Sequence, residues 1–143
     1  MSIRLLEIGD YHKNYLQLMN QLKPTKIYSY AKFKKIFKQI EKNEEHNIFV
    51  IEEDGIIVGT ITVVLETKFI YEGEKLGHIE DFVVDKNYRK KGYGGNLIEH
   101  VINFCKKNDC RKIGLCSRPC AQEFYYKKGF DVIGNYFAKY LKV

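Results

Sequence analysis

The sequence predicts an α/β (α+β) domain, a mixed and mostly antiparallel central sheet flanked by helices. Three observations carry that expectation. Apolar spacing switches between helix and strand in the order β-α-α-β-β-β-α-β-α-β, an Asp54-Gly55 pair separates two β-rich runs, and no internal repeat is present. With 143 residues, 45% of them hydrophobic, one core can be built and two would each be marginal, so residues 1–143 read as a single domain.

Residues 3–7 form the first expected strand, and Gly9-Asp10 opens a helical stretch in which Tyr11, Tyr15, Leu18, Met19 and Leu22 share a face. Lys23-Pro24 stops it, since proline cannot continue a helix. Ser29 is the expected N-cap of a second helix, with Phe33, Ile36, Phe37 and Ile40 inward and Lys32, Lys34, Lys35 and Lys38 on a solvated face. Residues 48–53 and 56–66 are strands joined by Asp54-Gly55, a dipeptide that suits the tight turn of an antiparallel hairpin. Residues 76–85 form the next strand, apolar except for His78, Glu80 and Asp81 near its start.

After Asp85 and a basic, glycine-rich segment, residues 96–107 set Leu97, Ile98, Val101, Ile102 and Cys105 on one helical face, with Lys106 and Lys107 suited to the negative end of the helix. Residues 111–116 form a strand and 121–128 a short helix closed by Gly129. Residues 130–141 form a last strand, turning near Gly134-Asn135.

A net charge of +6 favours anionic partners without choosing among them, so the position of the charge decides. The four cysteines, Cys105, Cys110, Cys116 and Cys120, make no paired CxxC, and no metal is expected. No apolar leader follows Met-Ser-Ile-Arg and no apolar run is long enough for a bilayer, so a cytoplasmic protein with no membrane partner is expected. Helix-turn-helix, zinc-finger and RRM signatures are absent, and no nucleic-acid partner is expected; a basic nucleic-acid-binding module is the alternative from another class.

The densest cations, Arg89, Lys90 and Lys91, are interleaved with Gly92, Tyr93, Gly94 and Gly95 between a strand and a helix. Backbone N–H groups at a helix start have no partner within the helix, and glycine lets them approach an anion closely. No Gly-Lys-Ser/Thr ends this loop and no GxGxxG runs through it, so a nucleoside triphosphate or a dinucleotide loses support and a diphosphate is the natural ligand.

Arg89-x-x-Gly92-x-Gly94, after Phe82-Val83-Val84 and before an amphipathic helix, resembles the acetyl-CoA signature of the GNAT N-acetyltransferase superfamily. Phe124-Tyr125-Tyr126-Lys127-Lys128-Gly129-Phe130 resembles that superfamily's late Phe-Tyr-x-x-x-Gly-Phe segment, and Gly77-His78-Ile79-Glu80-Asp81 is similar to the Gly-His-Ile-Glu-Asp run of its glucosamine-6-phosphate N-acetyltransferases. The resemblance spans nearly the whole chain. It implies the GNAT fold, acetyl-CoA as cosubstrate, a sugar-phosphate amine as acceptor, a product used for UDP-N-acetylglucosamine, and a homodimer.

It also implies roles. Backbone groups of Phe82, Val83 and Val84 would hold the pantetheine and polarise the thioester, residues 89–95 would bind the diphosphate, and Tyr125 would hydrogen-bond or protonate the departing sulfur. Lys68, Phe69, Ile70 and Tyr71 would match a sugar-phosphate loop, and Lys139 would meet the phosphate of sugar bound mainly by the other subunit. An ammonium group is no nucleophile, so a base must take its proton. Glu80 and Asp81 are the candidates, also as acceptor ligands, with a backbone carbonyl and water as the other route. Successive strand residues face opposite sides unless a bulge intervenes. His78 is expected to be structural.

One departure stands out. Where that family has Leu-Asp-Cys this chain has Gly114-Leu115-Cys116, without a carboxylate, and the family's following asparagine is replaced by Cys120 or Ala121. An acceptor other than the sugar phosphate, a different small amine or a protein amine, is therefore the enzymatic alternative.

Overall fold

In chain order, β1 (Ile3–Leu5) leads through a 3₁₀ turn (Ile8–Lys13) into α1 (Tyr15–Leu22) and α2 (Tyr30–Glu41), followed by β2 (His46–Glu53), β3 (Ile56–Thr67) and β4 (Lys75–Val84). Then come α3 (Tyr93–Lys107), β5 (Cys110–Gly114) and α4 (Gln122–Lys127). This computed structural model describes residues 2–142; Met1 and Val143, the two ends of the expected domain, lie outside the described residues.

Local chemistry accounts for most of these boundaries. Asp54 and Gly55 take left-handed backbone, φ 54° and 77°, and fold β2 onto β3 as the expected hairpin. The Ser29 side chain accepts the Lys32 N–H and caps α2, and Gly129, at φ 88°, follows the end of α4. The helix expected at 96–107 begins earlier, because Gly92 takes φ 82° as its N-cap and Asn96 N–H bonds the Gly92 carbonyl, which places Gly94 and Gly95 inside the first turn.

The sheet order is β1-β2-β3-β4-β5, antiparallel except for the β4–β5 pair. Both faces are covered. Leu97, Ile98 and Val101 of α3 pack on Phe49, Ile61, Val63 and Ile79, whereas Leu16 and Leu18 of α1 and Phe33 of α2 pack on Ile48, Val50, Ile57 and Val83.

One expected element does not form. Among the described residues, 130–141 join no ladder, and Val132, Ile133, Tyr136, Phe137 and Leu141 are exposed. Strand-like composition shows that a segment can pair, but a strand also needs a neighbouring edge, and this tail pairs with none among the described residues.

Candidate active site

The residues proposed for chemistry gather around the far half of β4. Thr62 pairs with Glu80 but Thr60 pairs with Val83, so Asp81 and Phe82 together face Ile61 in a β-bulge. Asp81 takes left-handed backbone, φ 47°, which costs roughly 1–2 kcal/mol for a residue with a Cβ. The bulge reverses the side-chain alternation. Ile79 packs on the α3 side and Val83 on the α1–α2 side, although residues four apart on a regular strand share a face.

The bulge also settles how the two carboxylates lie. Glu80 sits opposite Thr62, and Thr62 and Asp81 both line a cavity of about 250 Å³ beneath α1 and α2, so the pair is not split across the sheet. Tyr15, Tyr28, Phe33 and His46 also line it, and among the described residues no lysine or arginine does. Burial, and more weakly the Asp81 charge, raise the pKa of the Tyr15 phenol and keep it protonated.

β5 pairs with β4 only between Lys75 and His78, so among the described residues β4 from Ile79 to Val84 has no strand on that side. Peptide groups there are open to another hydrogen-bonding partner. Arg89 Nε donates to the Val84 carbonyl at 3.1 Å, tying the loop to the end of this edge.

Beyond Val84 the chain is pinned from two directions. Gln21 donates to Asp85 and accepts the Lys86 N–H, both at 3.0 Å. On the hairpin side Tyr88 donates to Asp54 at 3.0 Å, Tyr93 donates to Glu53, and Lys91 lies 3.6 Å from Glu53. Tyr93 therefore offers the loop its backbone N–H rather than its hydroxyl, and part of the Lys91 charge is already answered. Arg89 and Lys90 form no ion pair among the described residues.

The first turn of α3 has neither a capping side chain nor an acidic residue, so its N–H groups and the positive end of the helix dipole face outward uncompensated. A Cβ at Gly94 would lie 3.6 Å from Phe82, 3.9 Å from Phe124 and 3.9 Å from Val84, so the loop, the open edge and α4 converge at this glycine. This arrangement fits a ligand with a diphosphate at one end and a hydrogen-bonding chain running along β4.

Tyr125 packs between Phe124 at 5.2 Å and Phe130 at 5.9 Å, while Tyr126 is exposed. Burial raises the pKa of the Tyr125 phenol, which keeps its proton at neutral pH.

A profile of the Acetyltransferase (GNAT) family matches residues 13–130. The chain belongs to that family. As a GNAT acetyltransferase it is an acyltransferase, and it is 36% identical over 142 residues to the glucosamine 6-phosphate N-acetyltransferase of Arabidopsis thaliana, covering 97% of this chain and 95% of that protein. The protein of that name from Dictyostelium discoideum is 33% identical over 99% of this chain and 91% of its own length. The crystal structure of the Arabidopsis thaliana enzyme superimposes with a TM-score of 0.95 at 35% identity, over 99% of this chain and 98% of that one.

Not every residue singled out in this GNAT chain comes together. Lys68 lies beside the 3₁₀ turn Phe69–Tyr71 at the opposite end of β4. Lys75 and Asp81 are six residues apart, about 20 Å along a strand. Lys139 lies in the exposed tail. Three partnerships that sequence spacing could not supply also appear: His78 Nε2 sits 2.8 Å from Glu66, Arg118 donates to the Leu22 carbonyl at 3.0 Å, and Lys128 reaches α3. The partners are 12, 96 and 29 positions apart, and no periodic pattern in the sequence reports such pairs.

Proposed function

We propose that this chain transfers the acetyl group of acetyl-CoA to the amine of D-glucosamine 6-phosphate, giving N-acetylglucosamine 6-phosphate and CoA. The observation that carries the reading is a β4 edge that loses its strand partner after His78, bulges at the carboxylate Asp81, and ends beside the uncapped start of α3. Similarity across 97% of the chain to a protein named for that sugar phosphate supports the acceptor.

Acetyl-CoA binds as a substrate. Its diphosphate is held by the N–H groups of residues 92–95 with Arg89 and Lys90. Its pantetheine pairs with the open edge at Phe82, Val83 and Val84, and an N–H of that edge stabilises the oxygen of the tetrahedral intermediate. Glu80 or Asp81, directly or through water, takes a proton from the acceptor ammonium, and the neutral amine attacks the thioester carbonyl. As the C–S bond breaks, Tyr125 gives its proton to the thiolate, so the leaving group departs as a thiol, and the second proton of the attacking nitrogen passes through water to restore the Tyr125 hydroxyl as the amide forms.

The phosphate end of the acceptor needs cations that the cavity beside Asp81 does not hold. Lys68 to Tyr71 is too far along β4 from Asp81 to serve the same sugar within one chain. A homodimer answers this by letting Lys139 or the 68–71 turn of a second copy reach the site, and the exposed tail, including Ile133, Tyr136 and Phe137, offers the surface for it. Light scattering is expected to return twice the 16.9 kDa chain mass, and a monomer would remove this part of the proposal. Four free cysteines suit the reducing cytoplasm as its setting.

A second acceptor class has its own support, because an aromatic cavity with one carboxylate and no lysine or arginine suits an amine without a phosphate. An amine panel decides between them. Acetyl-CoA turnover is expected to be at least roughly tenfold more efficient, in kcat/KM, with glucosamine 6-phosphate than with glucosamine, polyamines or peptides, as loss of a charge-paired phosphate costs about 1.4 kcal/mol or more. Indifference to the phosphate would give the acceptor to the second class.

A further inference from the structure

Lys128, the residue after α4, lies across the first turn of α3. A Cβ on Gly95 would stand 3.2 Å from its Nζ and 3.6 Å from its Cε, so the lysine fills the space that any other side chain at 95 would occupy. Glu99 is four residues on along the same helix face, and its carboxylate lies 3.7 Å from the ammonium. That separation makes an ion pair but exceeds the roughly 2.7–2.9 Å of a charge-assisted hydrogen bond, so the ammonium donors are not committed to Glu99.

The ammonium sits where positive charge is already concentrated. The start of α3 presents bare N–H groups and carries no acidic residue in its first turn. A cation there is repelled by the helix dipole unless an anion joins it, and Glu99, a turn further on, answers only part of that repulsion. A phosphate at the first turn would attract both the helix end and the lysine.

We propose that Lys128 is a phosphate ligand of acetyl-CoA, passing from Glu99 to the cosubstrate on binding, and that glycine at 95 keeps open the space the lysine crosses. The proposal rests on the acetyl-CoA site described above and adds to it the C-cap residue of a different element, α4, which also positions Tyr125. Glu99 is then a competitor for Lys128 in the free protein rather than a strut.

Calorimetry with CoA on variants that melt like the parent tests this. Lys128→Gln is expected to raise the Kd for CoA roughly tenfold, the scale of one charge-assisted contact, with the KM of the acceptor unchanged. Lys128→Arg should recover most of the loss. Glu99→Gln should tighten CoA binding, because it removes the competing anion; a merely structural ion pair would be hurt equally by losing either partner. Gly95→Ala should weaken binding in the parent and add little in the Lys128→Gln background. Dephospho-CoA names the contact: an undiminished loss places Lys128 on the diphosphate, and a reduced loss places it on the 3′-phosphate. Lys128→Gln binding CoA like the parent, or Glu99→Gln weakening binding as Lys128→Gln does, overturns the proposal. Failure of the parent itself to bind CoA would instead overturn the acetyl-CoA site.

Discussion

Tyr125→Phe is expected to lower kcat by roughly a hundredfold or more, the usual contribution of a positioned acid, while acetyl-CoA binds almost as before. The substitution removes one oxygen and leaves the ring between Phe124 and Phe130, so packing persists. Burial raises the pKa of the phenol, so the hydroxyl carries its proton when the thiolate forms. Tyr126→Phe provides the contrast, since the neighbouring ring is exposed and no comparable loss is expected there. Steady-state rates together with calorimetric CoA affinities check the pair. An unchanged kcat in Tyr125→Phe would take the leaving-group role from that hydroxyl.

Gly92→Val is expected to weaken CoA binding by at least about tenfold, corresponding to the roughly 1–2 kcal/mol that a residue with a Cβ needs to hold left-handed backbone. Gly92 caps α3 at φ 82°, and a Cβ there would meet nothing within 4 Å. The loss would therefore come from backbone conformation and not from a clash. If the backbone relaxes instead, the first-turn N–H groups turn away from a common phosphate. Gly92→Asn should be milder, because asparagine tolerates the left-handed region. Gly9→Val is the control at an equally open glycine without positive φ, and binding there should not change. Equal affinity in Gly92→Val and the parent would count against the loop as the diphosphate site.

Much of the fold was legible because it depends on neighbours in sequence. The hairpin at Asp54-Gly55, the Ser29 cap, the apolar face of Leu97, Ile98 and Val101, and the glycine loop opening α3 each follow from spacing or turn chemistry within a few residues. The candidate site was legible as a set of segments, since its loop, the strand before it and the Tyr125 helix each carry local patterns. What joins them was not. The seating of Glu80 and Asp81 depends on an unequal match between β3 and β4, and strand alternation alone leaves it open. Residues 130–141 read as a strand because composition cannot say whether an edge will be near.

Local residue patterns thus set the order of elements from β1 to α4, the anion-ready start of α3, and the family resemblance that names the chemistry. Chain packing set the rest: β5 leaves β4 after His78, Asp81 reverses the face of the strand, and Lys128 crosses Gly95. Turns, caps and amphipathic faces are fixed by atoms a few residues apart. Edges, bulges and ion pairs between elements depend on which segments meet once the core has closed, and contacts across 29 or 96 positions leave no period to read.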